Sequence, residues 1–355
     1  MEKEFDLLVF IGRFQPFHVE HKRIVDIALS KAKNVLVLVG SSGKARTVRN
    51  PFTFDERKQM IRDSFDFLSG ARRLIIKPLY DKTYNDVAWI NQVQSVVKET
   101  ALDAINNGGF HAAGLVDGKI GLIGMAKDHT SYYLKMFPQF KSVDVPMNQP
   151  MHATALREGF LDGHMKKHEV AVSQLPMNVA NFMYNKFAFT AEYKQLKREL
   201  DHVRAYKKAW AAAPYAVKHV TVDAVVEQSG HVLLVKRRSE PGKNLFALPG
   251  GHLEEFEKLE DGAVRELREE TKIKVPEAVL RGSINNTHMF DDPYRSNIGR
   301  VITFAAHIKL ADDTSLPKVK GADDAEKAKW IPIGDLREDQ LFDDHFHIIQ
   351  YFLGL

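Results

Sequence analysis

Five short apolar runs dominate the first 145 residues: Phe5–Ile11, Val35–Val39, Leu74–Leu79, Ile120–Ile123 and Ser142–Val145. Each has strand length and is too short for a buried helix. Amphipathic segments separate them. Ile24, Ile27, Ala28 and Ala32 recur at helical spacing after the first run, and a longer helix is predicted over Val87–Ile105. Buried strands alternating with helices predict an α/β unit with a doubly wound parallel sheet, whose ligands bind beyond the carboxyl ends of the strands.

From about Tyr215 the pattern changes. Val220–Glu227 and His231–Arg238 predict two strands joined by a turn at Gln228-Ser229-Gly230. A charged helix follows over Asp261–Thr271, then an apolar run at Val301–Leu310 and a closing helix near Asp344–Leu353. That order predicts a mixed α+β domain. Pro176 and Pro214 bracket Glu192–Trp210, a charged, helix-favouring stretch that reads as a helical connector. The expected division is therefore 1–185, a connector over 186–214, and 215–355.

Composition narrows the function. With 44% hydrophobic residues the 355-residue chain can fill two cores, and its 0 cysteines exclude disulfide scaffolds, thiolate metal sites and a thiol nucleophile. Fifty basic against 46 acidic side chains leave +4, and the longest basic cluster, Lys236-Arg237-Arg238, is too short to argue for nucleic acid. Small anionic ligands fit better. Met1–Asp6 lacks the layout of a signal peptide. No apolar run approaches the roughly 20 residues of a membrane helix. The expectation is a soluble cytoplasmic protein with no nucleic-acid or membrane partner; a homo-oligomer stays open.

The segment Phe10–His21 joins the first strand to the first helix. Gly12 lets the backbone turn closely, and a helix start presents unpaired N–H groups, which makes an anion site. His18 and His21, three apart, can share a helix face and point at one bound group. Alone, the pair reads more readily as a solvated face or a stray metal site. With its context, the sequence resembles the nucleotidylyltransferase superfamily, marked by His-x-Gly-His after the first strand and by a later element that closes on Arg and binds triphosphate. Here that element is Thr154-Ala155-Leu156-Arg157. Three further stretches narrow the resemblance to the archaeal type of nicotinamide-mononucleotide (NMN) adenylyltransferase. They are Gly12–His18, Arg46-Thr47 with Asn50–Thr53, and Lys127-Asp128 with Ser131–Leu134.

The resemblance implies a Rossmann-like fold in which His18, His21 and Arg157 are catalytic. It implies that Gly12, Arg13, Phe14, Arg46, Asn50, Asp81, Asn85, Trp89, Lys127, Asp128 and Thr154 bind substrate. Trp89 would stack on the pyridinium ring, although a core aromatic on the Val87–Ile105 helix is an equal reading. Two departures stand out. Glu20 replaces the motif glycine and His152-Ala153 replace serine, so weaker ATP binding is expected. Gly40–Lys44 follows a strand but lacks Walker A spacing.

The second half carries the stronger signal. Gly251, Glu257, Arg265-Glu266-Leu267-Arg268-Glu269-Glu270 and Ile273 reproduce the spacing of the Nudix hydrolase box. On a helix Glu266, Glu269 and Glu270 stand at i, i+3 and i+4, so three carboxylates converge on one face and repel unless cations neutralise them. Mg²⁺ is the expected occupant, with Mn²⁺ as the alternative. Arg265 is expected to pair with one glutamate. Lys272 stands where the box has its last glycine, which threatens the left-handed helix cap rather than the metal ligands.

The surroundings resemble the ADP-ribose pyrophosphatase domain found fused to NMN adenylyltransferases. The pieces are Thr221–Val226, Pro241–Lys243, Leu248–Gly251, Pro293–Ser296 with Gly299-Arg300, and Asp323–Ala325 before Trp330. The resemblance implies an α/β/α sandwich, catalytic Glu269 and Glu270, substrate contacts from Gly251 and Arg300, and AMP and ribose 5-phosphate as products. A base from Glu326, Asp323 or Asp324 is balanced by an ordinary exposed loop. The small-molecule partners implied are ATP, NMN or NAD, and ADP-ribose. Three alternatives stay open: nicotinate mononucleotide as acceptor, another dinucleotide for the hydrolase, and a retired domain that senses NAD or ADP-ribose.

Overall fold

Strands apolar at nearly every position need cover on both faces, and a parallel sheet obtains it from the helices that cross between its strands. The computed structural model describes residues 3–66, 71–106, 119–125, 136–148, 151, 153–165, 173–312, 315–321 and 325–355. Its contacts divide the chain into Met1–Lys197 and Arg198–Leu355.

In the first unit, β1 (Phe5–Gly12), β2 (Ala32–Val39), β3 (Leu74–Pro78), β4 (Ile120–Gly124) and β5 (Lys141–Asp144) form a parallel sheet in the order β3-β2-β1-β4-β5. All five apolar runs became strands. Helices α1 (Val19–Lys31), α2 (Phe54–Arg62) and α3 (Asp86–Asn106) connect them, followed by α4 (Ala153–Asp162) and α5 (Met177–Asn185). Leu7, Val9, Ile11, Leu36, Leu38 and Leu122 pack with Val93, Val97 and Ala101 of α3. α1 turns Ile24, Val25, Ala28 and Leu29 inward. The connections leave β1 in opposite directions, toward β2 and toward β4, so the crevice of a doubly wound sheet opens at the carboxyl end of β1.

The helix expected over Glu192–Trp210 is present as α6 (Ala191–Ala209), and the division at Lys197/Arg198 falls within it. The second unit holds β6 (Lys218–Gln228), β7 (His231–Arg237), β8 (Phe246–Ala247), β9 (Gly250–His252), β10 (Ile284–Phe290), β11 (Arg300–Lys309) and β12 (Ala325–Pro332). Its sheet runs β10-β11-β6-β7-β12, with β8 on β7 and β9 on β6; β6 and β11 pair parallel and the other described strand pairs antiparallel. The β6–β7 hairpin turns at Ser229 (φ 46°) and Gly230 (φ 69°), two positive-φ residues of the kind a tight hairpin requires. Helices α7 (Leu259–Thr271), α8 (Glu277–Gly282) and α9 (His345–Leu353) complete it. α7 buries Ala263, Val264, Leu267 and Thr271, which leaves its glutamates on other faces. No helix among the described residues is long and apolar enough to cross a membrane.

Lys272 ends α7 in the left-handed conformation, φ 45° and ψ 35°, and its N–H donates to the Arg268 carbonyl. The cap therefore survives without glycine, at a conformational cost of about 1 kcal/mol for an L-residue. Lys272→Gly is expected to raise the melting temperature of the second unit by about 2–4 °C. A melting curve that stays put or moves down would mean that the lysine side chain's contacts outweigh the strain.

Candidate active sites

The loop from β1 into α1 is built around buried aromatic and polar groups. Phe14 has φ 51°, is 1% exposed, and lays its ring over Gly12, where a Cβ would come within 2.8 Å of it. Gln15 clamps the loop by donating to the Phe52 carbonyl at 2.8 Å and accepting from the Phe52 N–H at 3.0 Å. His18 caps α1. Its Nδ1 accepts from the His21 N–H at 3.4 Å, and the His21 Nδ1 accepts from the His18 N–H at 3.3 Å. Accepting at Nδ1 places the proton of each imidazole on Nε2, so both rings carry an Nε2–H donor. The two rings stack with centroids 3.5 Å apart.

Around this loop the structure gathers cations. Arg157 is buried, donates to the Gln15 carbonyl at 2.8 Å and to the Thr154 hydroxyl at 3.0 Å, and so draws α4 against the β1–α1 loop. Burial, then the charges of Arg13 and Arg49, push its pKa down to about 10. Arg57, 1% exposed, donates to the carbonyls of Arg13 (2.6 Å), Gly40 (2.7 Å) and Ser41 (3.3 Å), and burial takes it to about 10 as well. Cations buried together disfavour one another, and an anion bound among them relieves that cost. Arg57 and Arg49 escaped the sequence reading. Arg57 sits in an ordinary charged helix, where nothing in the local pattern separates an inward arginine from a solvated one.

Other predicted contacts are placed as follows. Asn50 is buried, and its Oδ1 accepts no hydrogen bond from the described residues, as expected of an acceptor that awaits a ligand's donor. Arg46 is held by Glu56 (2.7 and 2.9 Å) and by the Pro51 carbonyl. Asp81 lies beyond β3, where it accepts from the Ser41 hydroxyl at 3.2 Å with Lys44 at 3.8 Å. The Asn85 side chain caps the Ala88 N–H. Trp89 is half-buried, packed on the sheet core and 5.9 Å from the Phe137 ring. Glu20 is buried, paired with Arg23 at 2.9 Å, and accepts from the Asn148 N–H at 3.3 Å, while Arg23 also donates to the Pro146 carbonyl. Lys127, Asp128, Ser131–Leu134 and His152 lie outside the described residues.

In the second unit Arg265 is the hub. It donates to both oxygens of Glu257 (2.8 and 3.0 Å), to Glu266 (2.9 Å) and to Glu269 (3.0 Å), so it holds three glutamates where one was expected. Its hydrogen bonds keep the Glu257 carboxyl below the usual range. Glu266 is displaced upward, mainly by burial. Burial takes Glu270 to about 8, although the Gly250 N–H donates to it at 3.1 Å. The glycines make room for these carboxylates: a Cβ on Gly251 would sit 2.4 Å from Glu266 Oε1, and one on Gly250 would sit 2.3 Å from Asp223 Oδ1. Arg300 donates to the Asp291 carbonyl. Asp323, Asp324 and the Glu326 side chain lie outside the described residues.

Among the described residues, no three acidic or imidazole groups are drawn together as a metal cage. The donors nonetheless suit a hard divalent cation. They are all carboxylate oxygens, and Glu270 is too buried to ionise readily without a positive charge beside it. In the metal-free chain Glu270 stays protonated when folded up to about pH 8 but ionises near pH 4.5 when unfolded. The folded state thus holds the extra proton, and stability falls as pH rises across that window. In EDTA, melting temperature against pH should lose part of its downward slope in Glu270→Gln; parallel profiles would show that Glu270 ionises normally.

Residues 9–105 match the cytidylyltransferase-like family and residues 217–352 the NUDIX domain family. A nicotinamide/nicotinic acid mononucleotide adenylyltransferase from Acinetobacter baylyi is 35% identical over 197 residues, 55% of this chain and 94% of that one. An ADP-ribose pyrophosphatase from Methanocaldococcus jannaschii is 34% identical over 134 residues, 38% of this chain and 72% of the relative. The crystal structure of a bifunctional NMN adenylyltransferase/ADP ribose pyrophosphatase from Francisella tularensis superposes with a TM-score of 0.88 at 34% identity, covering 99% of both chains. A second structure of the Francisella protein, complexed with AMP and a manganese ion, gives 0.86 at 33% identity over the same 99% of each chain.

Proposed function

The chain belongs to the family of bifunctional NMN adenylyltransferase/ADP-ribose pyrophosphatases, and on that premise we propose that it makes NAD at its first site and cleaves ADP-ribose at its second. The observation that carries this reading is the opposite charge of the two sites: buried arginines at the carboxyl edge of the parallel sheet, and on α7 the half-buried Glu266 and Glu270 beside the exposed Glu269. We assign the first activity to 1–185, the connector to 186–214 and the second activity to 215–355.

In the first reaction an oxygen of the NMN phosphate attacks the α-phosphorus of ATP, and pyrophosphate leaves. The nucleophile is already an anion and needs no general base, so the protein's work is alignment and charge stabilisation. His18 and His21 donate from Nε2 to the α-phosphate as negative charge builds in the transition state. Arg13 and Arg157 hold the departing β- and γ-phosphates, with Thr154 fixing the Arg157 guanidinium. Asn50 Oδ1 takes a donor from the substrate, and Asp81, Asn85 and Trp89 form the nicotinamide side. Lys127 and Asp128 keep the substrate-binding role implied by their motif.

In the second reaction water adds to a phosphorus of the diphosphate, and the bridging P–O bond breaks to give AMP and ribose 5-phosphate. Glu266, Glu269 and Glu270 would hold a divalent cation, Mg²⁺ by preference, which when bound lowers the pKa of water and shields phosphate charge. Arg265 keeps Glu266 and Glu269 aimed, Gly251 leaves the space Glu266 occupies, and Arg300 binds the diphosphate.

Purified protein with Mg²⁺ is expected to form NAD from NMN and ATP, and AMP from ADP-ribose. His18→Ala should slow the first reaction by roughly 10²–10³ and spare the second; Glu269→Gln should do the reverse. Absence of NAD alongside intact ADP-ribose cleavage would remove the first assignment, and a parallel assay with nicotinate mononucleotide would show whether the acceptor differs.

A further inference from the structure

The start of α9 carries titratable residues that the reaction above leaves unused: Asp343, Asp344 and His345. Their backbone is anchored from two directions. Asp344, 1% exposed, is paired with Arg295 by two hydrogen bonds, from Nε to Oδ2 at 2.9 Å and from Nη2 to Oδ1 at 2.8 Å. A bidentate pair of this kind fixes the orientation of both partners as well as their separation. On the other side the Phe342 N–H donates to the Phe246 carbonyl at 2.8 Å, which lays the entry to α9 along β8. Between these anchors Asp343 is held at φ 45°, a left-handed conformation that an L-residue keeps where its surroundings impose it.

His345 meets the turn between β8 and β9. Its Nδ1 accepts from the Leu248 N–H at 2.8 Å, a bond buried from water. Burial holds the imidazole below its usual pKa against the pull of the Asp223 and Asp344 carboxylates, so at neutral pH Nδ1 accepts and the proton sits on Nε2. The turn runs Leu248-Pro249-Gly250-Gly251. Pro249 has a locked φ and no N–H, and its carbonyl accepts from the Ala224 N–H at 2.9 Å. The next N–H along, that of Gly250, donates to Glu270 at 3.1 Å, and Gly251 leaves the space that Glu266 fills. His345 and Glu270 thus accept from successive N–H groups on either side of one rigid proline. The Asp223 charge acts on both acceptors, which groups them around a single carboxylate. Without the Nδ1 acceptor the Leu248 N–H would be left buried and unpaired, and the turn would shift to satisfy it, carrying the Gly250 N–H along.

We propose that His345 is a positioning residue of the hydrolase: through Leu248 and Pro249 it sets the Gly250–Gly251 segment, and with it the placement of the Glu270 and Glu266 carboxylates that would hold the divalent cation. The assignment rests on the reading of α7 as the cation-binding helix. It gives α9, far from α7 in sequence, a part in the site. Supports of this kind, one step behind the ligands, typically contribute roughly 10–100-fold in metal affinity or activity.

The test uses the full chain and reads metal binding apart from turnover. Mn²⁺ binding is followed as loss of the free-ion EPR signal, and the part abolished by Glu269→Gln defines the hydrolase site. His345→Phe keeps a ring and removes the acceptor; it should raise the Mn²⁺ dissociation constant at that site roughly 10-fold. The Mg²⁺ concentration for half-maximal cleavage of ADP-ribose should rise by a similar factor, while NAD synthesis stays unchanged. His345→Asn, whose Oδ1 stands close to the place of Nδ1, should restore both values. If His345→Phe loses the melting transition of the second unit, His345→Gln takes its place, with its amide one methylene farther out. A lower melting temperature at unchanged Mn²⁺ affinity would make His345 purely structural and overturns the proposal. His345→Asn behaving like His345→Phe overturns it as well, because the hydrogen bond is then not what the site depends on. So does cleavage of ADP-ribose with no Mn²⁺ binding lost in Glu269→Gln. Mn²⁺ binding that depends on His345, in a chain that leaves ADP-ribose intact, would remove the hydrolase reading and leave the positioning role standing.

Discussion

Charge removed from water must find a counter-charge, and each half of this chain is organised around charged groups for which the protein supplies only part of one. At the first site Arg57 spends its donors on four backbone carbonyls and Arg157 on a carbonyl and a hydroxyl. These partners are dipoles, so the net positive charge remains. At the second site the deficit has the opposite sign. Arg265 neutralises one charge among Glu257, Glu266 and Glu269, and Glu270 receives a backbone N–H, with the Arg237 charge acting on it besides. Buried groups left in this condition shift their pKa values, as Arg157 and Glu270 do, or take a ligand of the missing sign.

On the proposed reading the two deficits serve the same kind of substrate. A phosphate chain would bind the arginine cluster directly because it brings the negative charge. It would bind the glutamate cluster through a cation that first reverses the local sign. The scaffold follows from this difference. An anion site needs converging N–H groups and arginines, which strand ends and a helix start at the switch point of a parallel sheet provide. A carboxylate site needs side chains spaced along one helix and glycines close enough to leave them room, which α7 and the β9 glycines provide.

The backbone plan was legible because its signal is redundant. The strands β1 to β4 are apolar at nearly every buried position, so their runs marked them, while the mixed and largely exposed β5 was marked by a weaker run; the hairpin, the helix expected over Glu192–Trp210 and α7 emerged close to their expected limits. Contacts between distant segments were not legible. Arg265 was expected to hold one glutamate because the i, i+1 and i+4 relations were visible and the fold of Glu257 back onto α7 was not. Arg57 looked like any charged residue on α2. Trp89 lies between its two readings, half-buried on the core and therefore neither wholly structural nor wholly open.

The departures from the two motifs show how a fold absorbs a change that a local pattern flags as damaging. Lys272 adopts the conformation that glycine would have taken, so the break falls on local conformational energy and leaves the hydrogen bond to Arg268 in place. Glu20 is absorbed differently. Its carboxylate turns to Arg23 and to the Asn148 N–H, and Arg23 reaches the Pro146 carbonyl, so the residue that replaces glycine now ties the start of α1 to the segment following β5. That segment leads toward α4 and Arg157. Reverting Glu20 to glycine would thus release a structural tie as well as remove a charge.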